Sequence, residues 1–151
     1  MRKKTVVILI TLFAFLALIG TAYAQATADD AKALVQKAKE FYKAQGKDKA
    51  FAAFKDPQGE FVKGDLYIYV MDLDGKMLVH PKADMVGKDF TVVKDKDGKL
   101  FACDMVKIAK EKGSGWVDYK WENPATKTVD PKTAYFEKVD NVIIAAGAYK
   151  K

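Results

Sequence analysis

The stretch DLYIYVMDLDGKMLVH, residues 65–80, restricts the folds open to this chain more than any other. Leu66 to Met71 is apolar, β-branched and aromatic without a polar break, the pattern of a strand covered on both faces. Asp74-Gly75 then supplies a tight hairpin turn. A two-residue loop there pairs Asp72 with Met77, Met71 with Leu78, Val70 with Val79 and Tyr69 with His80. Directly opposed residues share a face, so this register predicts Tyr67, Tyr69, Met71, Leu78 and His80 on one side of a sheet.

A hairpin buried on both faces needs helices to cover it. TADDAKALVQKAKEFYKAQG places Ala31, Leu34, Val35, Ala38, Phe41 and Tyr42 at helical spacing, with Thr27 and Asp30 as a capping box and Gly46 as the stop. KDKAFAAFKD reads as a second, short helix offering Phe51 and Phe54 to the core, and Asp56-Pro57-Gln58-Gly59 as a turn. LFACDMVKIAKEK is a third helix, ended by Gly113. Between hairpin and third helix lies the polar, loop-like PKADMVGKDFTVVKDKDGK. Three strands follow: WVDYKWE, KTAYFEKV after a long NPATKTVDP connection, and VIIAAGAYK after a tight turn at Asp140-Asn141. The order predicts an α+β fold, one five-stranded antiparallel sheet with a long N-terminal helix against it. In VIIAAGA the run Ala145 to Ala148 leaves room for close approach, by a helix on one face and by a ligand on the other.

The first 24 residues stand apart. MRKK, an apolar run from Thr5 to Gly20 and Ala22-Tyr23-Ala24 read as a signal peptide cleaved before Gln25, which predicts a periplasmic or secreted protein with one domain over 25–151. A form anchored by the uncleaved segment is the alternative. The formal charge is +6, of which Arg2, Lys3 and Lys4 supply three, leaving +3 interspersed with acids. That balance argues against nucleic acid as a partner.

Most chemistries are disfavoured by residue type. With Cys103 the single cysteine and His80 the single histidine, an intrachain disulfide, a Cys/His zinc site and a haem attachment are excluded. Cys103 reads as a small buried hydrophobe. Asp72-x-Asp74-Gly75 and Asp95-x-Asp97-Gly98 resemble fragments of calcium loops, but valine holds the first ligand position in each and the closing Glu is missing, so both read as turns. Ser114 lies in G-S-G, which is not a nucleophile elbow. No enzyme, metal or cofactor is expected.

What the chain can build is a pocket for a small anion: apolar walls, a few donors and one cation. Tyr69 and His80 share a face by the register above. Trp116, Tyr119 and Trp121 in GSGWVDYKWENP offer an aromatic wall with donors, and Lys132 and Tyr135 sit at and beyond the start of the next strand. Strand alternation puts Tyr119 and Trp121 on one face and Trp116 on the other, which makes Trp116 a core residue or, with a bulge, a third wall. Packing and pocket lining remain open for the aromatics, as do surface and site for Lys132.

FYKAQGKDKAFAAF, GDLYIYVMDLDGKMLVHP, MVGKDF, GSGWVDYKWENP and AAGAYK together resemble a single Cache domain, the extracytoplasmic sensor module of chemoreceptors and membrane-bound kinases. The resemblance covers nearly all of 25–151. It implies a PAS-like sheet of strand order 2-1-5-4-3, with VIIAAGAY beside LYIYVMD, and binding of small organic molecules, often carboxylates. The chain differs from the common pattern in ending two residues after Tyr149, without a second membrane helix or a signalling region. The expectation is therefore a free-standing sensory domain acting in signal transduction or chemotaxis through a membrane-bound receptor or kinase, with the N-terminal helix as the contact for that partner or for a homodimer. The rival expectation is a docking module without a small ligand.

Overall fold

The computed structural model describes residues 24–150. The leader read over 1–24 falls, except for Ala24, outside the described residues. The elements are α1 (Ala28–Gln45), α2 (Lys47–Lys55), β1 (Val62–Lys63), β2 (Leu66–Asp72), β3 (Met77–Val79), α3 (Phe101–Lys112), β4 (Ser114–Glu122), β5 (Val129–Val139) and β6 (Val142–Tyr149), with single 3-10 turns at Ala83–Met85 and Phe90–Val92.

The sheet is antiparallel, ordered β1-β2-β6-β5-β4, with β3 also paired to β2. Six strands therefore replace the five expected. The extra one forms because Gly64, at φ 59°, turns Val62 and Lys63 back onto Tyr67 and Leu66, a conformation that costs glycine little.

Each face of the sheet has its own core. On one side Ile68, Val70, Ile144, Ala146 and Ala148 pack under α1, which contributes Ala31, Leu34, Val35, Ala38 and Tyr42. Thr27 and Asp30 cap α1 reciprocally, and the Gly46 N–H closes its last turn on the Tyr42 carbonyl. The small residues of β6 meet the alanines of α1, which lets the helix lie close. Phe54 and Phe61 are fully buried with centroids 4.8 Å apart, and Phe41 packs edge-on against Phe61 at 5.3 Å. On the other side Tyr67, Tyr69, Met71, Tyr119, Ala134, Phe136, Ile143 and Ala145 pack under α3 and the 83–92 loop.

Three local readings are corrected. The first hairpin is bulged: Val70 faces Val79, but Met71 faces Met77. The Asp72 carboxylate accepts from both Asp74 N–H and Lys76 N–H, which widens the loop by the extra residue. Met77 thereby takes the tyrosine face, and Leu78 packs against the α1 side instead. Second, β5 begins at Val129, because Val129 to Pro131 pair with Glu122 to Lys120, so Lys132 is interior to the strand. Third, Cys103 is half-buried and donates to the Thr91 carbonyl, 3.2 Å away, as a polar group rather than a sealed hydrophobe.

Candidate ligand-binding site

The face beneath α3 carries the polar aromatics, and alternation explains which. Tyr67 and Tyr69 project from β2, Tyr119 and Trp121 from β4, Lys132 from β5 and Tyr149 from β6 directly opposite Lys132. His80, just past β3, closes the group, its ring 5.3 Å from Tyr67 and 6.3 Å from Tyr69.

Lys132 is the centre. Its side chain is 1% exposed. Nζ donates to the Tyr67 hydroxyl at 3.0 Å and lies 4.2 Å from the Tyr67 ring centroid, 4.8 Å from Tyr149 and 5.7 Å from Tyr69. Among the described residues it makes no ion pair. Burying a cation against π faces and one phenol recovers only part of its lost hydration. The arrangement therefore favours any anion that reaches Nζ.

Gly147 makes the burial feasible. A Cβ there would stand 2.5 Å from Cε and 3.1 Å from Cγ of Lys132. Gly147→Ala is expected to push the lysine stem off its seat, lowering stability by about 1–2 kcal/mol, as overpacked cores do, and weakening anion binding. Urea unfolding beside a ligand titration checks it, and an unchanged midpoint would mean that the stem has room elsewhere.

The surrounding donors are held neutral. Burial raises the Tyr69, Tyr119 and Tyr149 hydroxyls above their ordinary range, so all three remain phenols. Tyr69 and Tyr119 share a hydrogen bond of 3.0 Å, and Tyr119 stacks on Phe101 at 4.0 Å. Trp121 meets Phe101 edge-on at 5.5 Å. His80 Nδ1 accepts the Lys82 N–H at 3.0 Å, which leaves Nε2–H as the donor of the neutral ring. Burial first, then the charges of Lys132 and Lys82, lower the His80 pKa to about 4.

Two small spaces adjoin these groups. The inner one, about 10 Å³, lies among Tyr67, Tyr69, His80, Tyr119 and Trp121, room for about one water. The outer one, about 100 Å³, runs from Tyr67 and His80 past Trp121 to a rim at Lys82 and Glu122. Lys132 lies one hydrogen bond behind both, screened by Tyr67. A larger groove of about 1010 Å³ lies between the first turns of α1, the Gly64 turn and the 123–131 connection, and none of these donors lines it.

Five of the seven residues singled out from sequence thus meet here: Tyr69, His80, Tyr119, Trp121 and Lys132. Trp116 and Tyr135 do not. They pair with each other across β4 and β5 on the α1 face, rings 5.0 Å apart, where Trp116 is 40% exposed and Tyr135 donates to Glu137. The sequence reading missed Tyr149 as a site residue and left Tyr67 out of the pocket. Alternation from Tyr69 points to Tyr67, whereas Tyr149 needs the β5–β6 register. The two Asp-x-Asp-Gly segments are turns: Asp95 accepts from Asp97, Lys99 and Lys120 N–H groups, much as Asp72 does in its own loop.

A fold of this kind, with helices on both faces of a PAS-like sheet and donors gathered under one of them, defines a class of sensor domain. The family model for the Cache domain matches residues 17–151, and the chain belongs to that family. The methyl-accepting chemotaxis protein McpP of Pseudomonas putida is 32% identical over 88 residues, 56% of this chain and 16% of that protein. The sensor histidine kinase MctS of Rhizobium johnstonii is 30% identical over 88 residues, 56% of this chain and 19% of that one. The chain thus spans under a fifth of the length of either relative. A structure titled for carboxylic acid recognition by a Cache chemosensory domain matches at 25% identity and TM-score 0.63, over 82% of this chain and 88% of that one. A methyl-accepting chemotaxis protein from Vibrio parahaemolyticus shares the fold at TM-score 0.67 and 23% identity, over 80% and 86%. Among the described residues no helix is long and apolar enough to cross a membrane.

Proposed function

We propose that this protein is a periplasmic, non-catalytic sensory domain, with its boundaries near 25–151, that reversibly binds a small organic acid and reports occupancy to a signalling partner in chemotaxis or a related pathway. One observation carries the reading: the Lys132 ammonium is buried in a cage of tyrosines without a carboxylate partner among the described residues. A ligand carboxylate replaces the Tyr67 hydroxyl at Nζ, a charge-assisted bond in place of a neutral one. His80 Nε2–H and the Tyr69 hydroxyl are further donors on this face, and Tyr119 and Trp121 wall the apolar end. The carboxylic-acid title of one structural relative and the chemotaxis role of a sequence relative support the same reading.

Tyr67 screens Nζ from both spaces, so a ligand reaches the ammonium only when Tyr67 moves, and binding selects an opened arrangement. Residues 145 and 147 of β6 face the site while Ala146 and Ala148 face α1. A displacement at Lys132 is therefore felt by the helix on the opposite side, the element suited to contact a partner or a second copy.

Calorimetric titration of the purified protein with short carboxylates, amino acids, amines and purines tests the proposal. Saturable binding confined to acids is the expected result. Silence across the whole panel from folded protein, washed free of carried-over ligand, would turn the reading to a docking module.

A further inference from the structure

The rim of the outer cavity has a chemistry of its own. Lys82 and Glu122 form an ion pair there, 2.5 Å between Nζ and Oε1, both side chains partly exposed. Each is tied back into the cage by its main chain: the Lys82 N–H binds His80 Nδ1 at 3.0 Å, and the Glu122 carbonyl accepts from the Tyr149 hydroxyl at 2.7 Å. Tyr149 in turn flanks Lys132. The ion pair and the buried ammonium thus belong to one closed ring of contacts, His80–Lys82–Glu122–Tyr149–Lys132–Tyr67.

The charges in that ring are unequal. Lys82 holds the Glu122 carboxyl below the usual carboxylate range, so Glu122 is an anion at neutral pH and cancels Lys82. What the cleft offers an occupant is the single positive charge of Lys132. A singly charged acid neutralises it. An acid with a second carboxylate, anchored by its first at Lys132, carries the other toward a rim where Glu122 already occupies the cation. It must displace Glu122 from Lys82 or sit beside it, and like charges so placed cost binding heavily.

We propose that the Lys82–Glu122 pair is the specificity determinant of this site, favouring acids with one carboxylate over those with two. The inference rests on the carboxylate reading above. Its test titrates the full chain and its Glu122→Gln variant with propionate and with succinate. Glutamine keeps the main-chain carbonyl that Tyr149 uses, and circular dichroism verifies the fold. The unaltered protein is expected to bind propionate at least about tenfold tighter than succinate, and Glu122→Gln to strengthen succinate binding at least about fivefold, in line with removal of one like-charge contact. Equal binding of the two acids by the unaltered protein, or an unmoved succinate affinity in Glu122→Gln, overturns the gate and leaves the carboxylate site standing. No binding of either acid to the unaltered protein overturns both.

Discussion

Lys132→Met raises the Kd for a bound carboxylate at least about 100-fold while the fold keeps its stability or gains some. Removal of the charged partner of a buried ion pair is worth several kcal/mol, and 1.4 kcal/mol is a factor of ten in Kd. Methionine follows the unbranched lysine stem through the notch at Gly147, so no cavity forms along it. What disappears is an ammonium in a 1% exposed position, held by one phenol and three ring faces. Replacing a buried ion by an apolar group of similar volume is frequently neutral or stabilising. Calorimetry and urea unfolding on the same sample separate the two effects. Binding within threefold of the unaltered protein would remove Lys132 from the site, and a large drop in the urea midpoint would make it a structural residue.

His80 gives the second large effect, in the pH dependence of stability. Its folded pKa lies near 4, below the ordinary 6.5. Between these values the unfolded chain binds a proton that the folded chain refuses, so stability rises with pH across that window. The neutral ring's contribution is fully present above pH 6.5 and is lost as pH falls toward 4. At about 1.4 kcal/mol per tenfold change in proton affinity, the loss reaches about 3 kcal/mol. The groups facing the ring set this: Lys132 from β5 and Lys82 from the following loop oppose its charge, Asp84 favours it weakly, and Tyr67 and Tyr69 bury it. His80→Gln should flatten the stability profile between pH 6.5 and 4.5. The check is urea midpoints at half-unit steps, and an equally steep profile in the variant would place the acid sensitivity elsewhere.

Much of this architecture could be read from the chain because local rules agreed with the global packing. The capping box at Thr27, the glycine stops at Gly46 and Gly113 and the apolar run of β2 each act within a few residues, and each appears where its chemistry puts it. Alternation also placed Tyr119 and Trp121 together and Trp116 opposite. Failures came where one element had to be set against another. The bulge after Val70 depends on the Asp72 carboxylate and on the Met77 backbone pairing with Lys88 and Gly87, contacts that local spacing does not encode. Tyr135 was assigned to the pocket from its nearness to Lys132, yet three residues along a strand reverse the face. Tyr149 lay beyond reach, because its place over Lys132 comes from the pairing of β5 with β6.

By itself, then, the sequence determined the α+β class, the element order and a short supply of chemistry: one histidine, one cysteine, many tyrosines and lysines balanced by acids. Those follow from periodicity, capping and composition, which are local or additive. Which of the 25 lysines becomes the buried cation was decided only in three dimensions. Lys132 is chosen because Gly147 admits its stem, Tyr67, Tyr69 and Tyr149 converge on its head, and every carboxylate of the described ion pairs is engaged elsewhere. Burial of a charge is a property of its surroundings, and here they come from β2 and β6, which the pairing of the sheet brings to Lys132.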